Sequence, residues 1–311
     1  MVQRIFGFFN PRKNTMHSGV ISELMLYPVK SLQGISVNES AVTEQGLKWD
    51  RHWMIVNEEG MFATQRHFSK MATIQTKITD QHLILSTANL ADCYIELESE
   101  ELQLAKRNVK VWKSECLAVD EGEEVSQWLT NVLGQWRGQN LSLVRMASSS
   151  KRIVSDKYTN GEVNTTLFSD GYPFLITTTD SLAELNRCLN EQNESSVPMS
   201  RFRANIVIDN EQQAKNHRYP QFIEHVCNEL IIKTKQGLKF TLCKPCERCK
   251  VPSIDQETGE VLSAQQPLKT LFRIDNVDKK GAFFGENAVL SHSSKSLLKP
   301  VIKVGDTVEF V

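Results

Sequence analysis

From residue 20 to 112 the chain is a succession of short runs that alternate apolar and polar residues, cut apart by turn formers. The run 20–27 ends at Pro28, which has no N–H to give to a strand ladder. Residues 35–42 and 49–56 read the same way. Asn57-Glu58-Glu59-Gly60 has hairpin-turn chemistry and leads into a return strand at 61–64. Alternation resumes at 73–78, 82–85, 93–97 and 109–112. A period of two hides only one face of each strand. Many such strands at close spacing must therefore curl into a barrel or stack as a sandwich.

Residues 121–133 break that rhythm, because Val125, Trp128, Leu129 and Leu133 recur at helical spacing. A strand follows at 141–145, and then a polar stretch, 147–164, reads as a long loop and a domain boundary. Beyond it, 173–177 is a strand. Ser181-Leu182-Ala183-Glu184 reads as a capping box, with Leu182, Leu185 and Leu189 as the buried stripe of its helix. Residues 203–208 form a buried strand opening on Arg203 and Asn205. A hairpin, 229–233 and 238–242, is split by Lys235-Gln236-Gly237, and 301–311 is a Gly-Asp turn between two strand pieces. The expected fold is α+β, mainly β. It has a flexible N-terminus at 1–18, a β-barrel-like domain at 19–146, a linker loop at 147–168 and a second β-barrel with flanking helices at 169–311. The length of 311 residues suits two domains.

Charge excludes some function classes. The net charge is −1, and a chain without a basic face cannot neutralise many phosphates, so no nucleic-acid partner is expected. The apolar cluster near Phe6, Phe8 and Phe9 is too short for a signal sequence or a membrane span, and no other stretch is long enough. The cysteines are odd in number, seven, and three of them crowd together, which is unlike a secreted disulfide framework. Reduced thiols and a cytoplasmic location are expected.

That crowding is the strongest chemical signal. Cys243, Cys246 and Cys249 lie three residues apart, with Lys244 and Arg248 between them. Thiolates beside fixed cations are good nucleophiles and soft-metal ligands. A structural zinc site needs a fourth ligand, and an iron–sulfur run would need cysteine where Ser253 stands. Positions three apart on an extended strand face opposite ways, which disfavours a chelating cluster. Spacing alone leaves two readings: one functional thiol, or small buried hydrophobes. Several cations stand at strand ends: Lys30 with Ser31 after Pro28, Arg51, Arg203 with Asn205, and Arg248 beside Cys249. Brought together they would hold a phosphate or similar dianion. Gly-rich phosphate loops, His-Glu-x-x-His and Gly-x-Ser-x-Gly are absent, and His52 and His67, beside aromatics, read as structural. Asp255 begins Asp-Gln-Glu-Thr-Gly and reads as a turn former, with proton donation as its other reading.

Ordered markers then suggest a family. They are Tyr27-Pro28-Val29-Lys30-Ser31, Asp50-Arg51-His52-Trp53, Ser169-Asp170-Gly171-Tyr172-Pro173-Phe174, Phe202-Arg203-Ala204-Asn205, Cys246-Glu247-Arg248-Cys249, Asp255-Gln256-Glu257-Thr258-Gly259, Phe284-Gly285 and Lys303-Val304-Gly305-Asp306. From about residue 20 onward the chain resembles MOSC-domain proteins with an N-terminal MOSC β-barrel, the group of the mitochondrial amidoxime-reducing components and their bacterial relatives. The resemblance implies a pterin-bound molybdenum cofactor (Mo-molybdopterin) between the two domains. It implies Cys249, not Cys246, as metal ligand and catalytic residue. Lys30, Ser31, Arg51, Arg203, Asn205 and Arg248 fall where relatives hold the pterin and its phosphate, and Gly171, Tyr172 and Asn287 fall on the cofactor wall. A pyridoxal phosphate site is not expected.

The implied reaction is two-electron reduction of small N-hydroxylated substrates, with electrons from a separate donor protein of ferredoxin, flavoprotein or cytochrome type. The chain has no plant-type ferredoxin cysteine run, and a membrane-anchoring N-terminal segment such as the mitochondrial relatives carry is not expected. The alternatives are a cofactor-binding or sulfur-carrier protein without reductase turnover, and a structural zinc protein using Cys243, Cys246 and Cys249.

Overall fold

The computed structural model describes residues 17–311 except 99–100, 102–103, 160, 210–220, 236, 275–276, 278–279 and 298. The chain is about 40% strand and 19% helix, which makes the fold α+β and mainly β. Most of the N-terminal stretch assigned as flexible lies outside the described residues.

Seven strands close into a barrel. Phe174–Thr178 runs parallel to Ile206–Asp209 and antiparallel to Phe283–Leu290. The ladder continues through Leu238–Glu247, Glu229–Ile232 and Thr307–Phe310. The ring is completed by His17–Leu26, which pairs with Thr307–Phe310 through residues 17–20 and with Ile206–Asp209 through residues 20–24. The first strand, which the sequence assigns to the N-terminal domain, is therefore hydrogen-bonded among C-terminal strands. Its alternation fixes a strand but names no partner. Closure buries the inner face: Ile21, Leu24, Phe174, Ile206, Leu230, Phe240 and Phe310 form one apolar cluster and leave no sheet edge in the ring.

Ile35–Val37 extends the large sheet alongside the end of the first strand, and most other N-terminal strands make smaller sheets. Trp53–Val56, Ser142–Met146, Ser114–Asp120 and Lys106–Val111 form one, and Gln75–Ile78, His82–Thr87 and Leu90–Glu96 form another. The helix Glu123–Leu133 packs Val125 and Leu129 into their shared core with Trp53, Ile55, Leu83, Leu85 and Leu143.

Local expectations shift in four places. Residues 61–64 pair only through bridges at Met61 and Phe62 and form no extended strand. The helix beginning near residue 181 spans Thr179–Asn190, and its cap is Thr178, whose hydroxyl accepts from the Ser181 N–H at 3.2 Å. The polar stretch read as a loop contains a short ladder, Arg152–Ile153 against Thr165–Thr166. Besides the two-residue strand Gly46–Leu47, two strands escaped notice, Ser114–Asp120 and Phe283–Leu290. The second is buried on both faces, so alternation has nothing to report.

Candidate functional site

Pro28 ends the hydrogen-bonded run of the first strand, and the chain turns so that Lys30 N–H donates to Trp53 O at 2.8 Å. This turn carries Lys30 and Ser31 to the rim of an open cleft enclosing about 830 Å³, part of it open solvent. Gly171 and Tyr172 reach it just before the strand at Phe174, Arg203 and Asn205 just before the strand at Ile206. Arg248 and Cys249 follow the strand ending at Glu247, and Asn287 lies within Phe283–Leu290. All ten residues that the resemblance assigns to the site line this one cleft: Lys30, Ser31, Arg51, Gly171, Tyr172, Arg203, Asn205, Arg248, Cys249 and Asn287; Cys243 and Asp255 do not. Three of them, Ser31, Arg51 and Arg203, have φ of 71°, 50° and 56°. Left-handed backbone at non-glycine residues costs energy and collects at binding sites, where the surroundings hold it in place.

The cations are individually fixed. Arg51 grips both carboxylate oxygens of buried Asp50 at 2.6 Å and donates to Arg203 O at 3.1 Å. The guanidinium groups of Arg51 and Arg203 lie 4.3 and 4.2 Å from the centroid of the buried Tyr27 ring. Arg203 donates to Gln256 Oε1 at 3.1 Å, and burial pulls its pKa down to about 10. Lys30 pairs with Asp170 at 2.5 Å and donates to Phe168 O at 2.9 Å, while burial lowers its pKa. Arg248 donates to Phe202 O at 2.8 Å and to Cys246 Sγ at 3.0 Å. The buried Arg248 Nε and Tyr172 hydroxyl have no partner among the described residues.

Asn205 and Asn287 serve the frame of the wall. Asn205 accepts from Leu175 N–H and donates to Met25 O, both at 3.2 Å, joining two barrel strands at their ends. Asn287 donates to Lys244 O at 3.2 Å beside the register shift between Leu242 and Lys244. Gly171 lies in open space.

The three cysteines separate into different surroundings. Cys243 packs against Val154, Tyr172 and Val289, and burial pushes its thiol up to about 12. Cys246 is half-buried against the cluster containing Phe202 and Phe284 and accepts the Arg248 hydrogen bond. Cys249 is exposed and makes no hydrogen bond among the described residues. The expectation that Cys246 and Cys249 face opposite ways assumes a continuous strand. The strand ends at Glu247, and both thiols line the cleft. Among the described residues no three cysteine, histidine or carboxylate side chains are arranged to hold a metal, so the zinc reading has no geometric support.

Asp255 is a turn former. Its Oδ1 accepts from the N–H groups of Glu257 and Thr258 at 2.9 and 3.0 Å, and Oδ2 pairs with Arg201 at 3.0 Å. Those amide bonds hold its pKa down, so it keeps no proton to donate at neutral pH. Sequence reasoning missed Arg66, Asp170 and Cys246 as cleft residues, and also the buried Arg152, which donates to Leu167 O and to Ser169 O at 2.8 Å and so holds the segment before Asp170. Arg66, Asp170 and Arg152 are polar residues inside stretches that read as turn or loop, while Cys246 reads as part of an extended strand that would turn it away from Cys249.

With this geometry in view, relatives can be compared. The MOSC N-terminal beta barrel domain is matched over residues 18–136 and the MOSC domain over residues 163–309. The chain is 30% identical to human mitochondrial amidoxime-reducing component 1 over 312 residues, covering 96% of this chain and 84% of that protein. The chain belongs to the MOSC family. The mouse form of the same component is 28% identical with the same coverage. Human molybdenum cofactor sulfurase is 28% identical over 255 residues, but this MOSC chain spans only 27% of its length. By name, one kind of MOSC relative is a molybdenum cofactor sulfurase and the other an amidoxime-reducing component. Among the described residues no helix is long and apolar enough to cross a membrane.

Proposed function

We propose that this MOSC protein is a molybdenum-cofactor-dependent oxidoreductase that reduces N-hydroxylated substrates, drawing electrons from a separate partner of ferredoxin, flavoprotein or cytochrome type. The observation that carries the reading is the exposed Cys249 thiol in a cleft lined by the cations Lys30, Arg51, Arg203 and Arg248, with Asp170 as its one lining carboxylate. A thiolate is a soft-metal ligand, and a cationic wall suits an anionic pterin phosphate. The unpartnered Arg248 Nε and Tyr172 hydroxyl are buried polar atoms that a bound group would satisfy. The residues therefore fit the cofactor.

In this reading Cys249 ligates the metal. Lys30, Ser31, Arg51, Arg203, Asn205 and Arg248 hold the pterin and phosphate, with Gly171, Tyr172 and Asn287 along the wall. The cofactor, when bound, supplies the two-electron chemistry. The protein supplies position. Arg51 and Arg203 are pre-oriented by Asp50, Tyr27 and Gln256, and Arg248 by Phe202 O, so little side-chain freedom is lost on binding. The cleft is open, which leaves room for a small substrate on the side of Cys249 that faces solvent.

The test is molybdenum analysis of protein from a molybdenum-replete host, followed by reduction of an amidoxime with a chemical reductant. We expect about one molybdenum per chain, lost in Cys249→Ser and kept in Cys246→Ser, and turnover in the wild type. Stoichiometric zinc without molybdenum would sink the proposal. Molybdenum without turnover would favour a carrier role, the reading to which the likeness to part of the sulfurase points.

A further inference from the structure

The cleft mouth holds a feature that the proposed reduction leaves unexplained. Trp112 and Lys113 form the two-residue loop between Lys106–Val111 and Ser114–Asp120, with Val111 paired to Ser114. Trp112 has φ 55° and is 46% exposed. A left-handed position in a two-residue hairpin loop favours glycine, asparagine or aspartate, and an exposed indole there helps neither turn nor core. Such strain persists where neighbours hold it, and it is a pointer to function.

The neighbours are cleft residues. Asp170 Oδ1 accepts from the indole Nε1 at 3.1 Å, and the Arg66 guanidinium lies 4.7 Å from the Trp112 ring centroid. Phe62 meets the indole edge-on at 5.3 Å. Asp170 and Arg66 both line the cleft. Arg66 is exposed, pairs with no carboxylate among the described residues, and makes one long bond, 3.5 Å, from Nε to Thr64 Oγ1. A guanidinium stacked on an aromatic face keeps its N–H edge directed outward, in the geometry that grips a carboxylate. The nearby Asp170 carboxylate is neutralised by Lys30 at 2.5 Å and does not repel a second anion as a free charge would.

We propose that Trp112 and Arg66 form a specificity subsite for aromatic N-hydroxylated substrates bearing a carboxylate. The substrate ring packs on the indole and the carboxylate pairs with Arg66. The substrate class rests on the reductase reading; the binding surface does not.

Two aryl amidoximes that differ only by a para carboxylate test this with the holoenzyme and a chemical reductant. Binding of the matching carboxylated aryl amidine, followed by tryptophan fluorescence, gives a readout without turnover. The wild type should favour the carboxylated substrate in kcat/KM. Arg66→Gln should cut that preference about fivefold, the upper end for an exposed ion pair, with molybdenum content unchanged, and Arg66→Lys should restore part of it. Trp112→Gly, which suits the left-handed turn, should raise KM for both substrates without lowering Tm. A preference that is absent, or unchanged in Arg66→Gln, overturns the subsite. So does loss of molybdenum in Arg66→Gln, which would assign Arg66 to the cofactor wall. A lower Tm with unchanged KM in Trp112→Gly would reduce the indole to a structural anchor. If the wild type reduces neither substrate, the reductase reading fails. The subsite then stands on quenching by the amidine that Arg66→Gln and Trp112→Gly abolish, and falls if the wild type shows none.

Discussion

Gln65 and Gln256, 191 residues apart, lock their side-chain amides face to face. Gln65 Nε2 donates to Gln256 Oε1 at 2.9 Å, and Gln256 Nε2 donates to Gln65 Oε1 at 3.0 Å. Both residues are buried. Gln65 Nε2 also reaches Ser31 O at 2.9 Å, and Gln256 Oε1 also accepts from Arg203. A buried polar chain thus joins Ser31 to Arg203, two cleft residues with left-handed backbone, and ties the N-terminal strands to the turn after Cys249.

Such a pair should show strong coupling. Gln65→Leu or Gln256→Leu alone strands a buried amide, at a cost of about 1–3 kcal/mol. Removing both leaves no orphan within the pair, so the double variant should cost less than the sum of the singles by about 0.5–3 kcal/mol. Urea unfolding of the three variants measures this directly. Strictly additive costs would mean that the amides do not act together.

The thiols should differ in reactivity in the order of their exposure. Cys249 is exposed, Cys246 is half-buried, and Cys243 has its thiol pushed up to about 12 by burial. At pH 7 a thiol of that pKa is thiolate to only about one part in 10⁵. Brief treatment of cofactor-free protein with iodoacetamide, followed by peptide mass spectrometry, should find Cys249 alkylated first of the three and Cys243 last. Early modification of Cys243 would contradict its packing against Val154, Tyr172 and Val289.

Much of this site can be read along the chain, and the reasons are physical. Lys30, Arg51 and Arg203 stand where strands begin or break, so sequence alone marks them as candidates for strand-end clustering. Spacing alone leaves Cys243, Cys246 and Cys249 undivided, and only the resemblance to the MOSC family singles out Cys249, the cysteine that follows Arg248. What cannot be read is what depends on partners far away. The first strand completes a ring whose other members lie beyond residue 173. Phe283–Leu290 contains Gly285, Glu286 and Asn287, polar or small residues that a one-sided strand would expose, yet seven of its eight residues, all but Asn287, are buried. Arg152 looks like part of a solvated loop, yet carbonyls satisfy it in the interior. Trp112 reads as the end of a strand and is instead its turn.

The buried acids predict a pH dependence of stability. Glu224 accepts from Ser181 Oγ at 2.8 and 2.9 Å and from Thr178 Oγ1 at 3.2 Å, and burial pushes its pKa up to about 7. Glu286 lies 2.9 Å from His225 Nδ1; burial raises the carboxyl and lowers the imidazole, so the proton between them rests on Glu286. The folded state therefore holds carboxyl protons that the unfolded chain releases above about pH 4.5. Stability from these acids is present below that value and is lost as pH rises through the folded pKa values, at up to about 1.4 kcal/mol per pH unit for each group. His225 works in the opposite sense below pH 6.5, where the unfolded imidazole takes up a proton that the folded one refuses. Urea midpoints should accordingly fall from about pH 6.5 to 8.5. Glu286→Gln should flatten that fall, and an unchanged slope in this variant would refute the assignment.

Gly285 offers a test of how tightly the wall behind Asn287 is built. Its φ is +74°, and a Cβ there would lie 2.6 Å from Thr177 Cγ2 and 3.0 Å from Ile176 O. Gly134 has a similar φ, +80°, at the end of the helix Glu123–Leu133, with nothing within 4 Å of its Cβ position. Alanine at either position pays the left-handed backbone penalty, about 1–2 kcal/mol. Only at 285 must the neighbouring strand also move, since backbone Ile176 O cannot swing aside as a side chain does. Overpacking of this kind adds about 1–3 kcal/mol. Gly285→Ala should therefore lose more stability than Gly134→Ala in urea unfolding, and the difference between the two isolates crowding from backbone strain. Equal losses would mean that Phe174–Thr178 and Phe283–Leu290 can part at little cost, and that the cleft wall is softer than its packing implies.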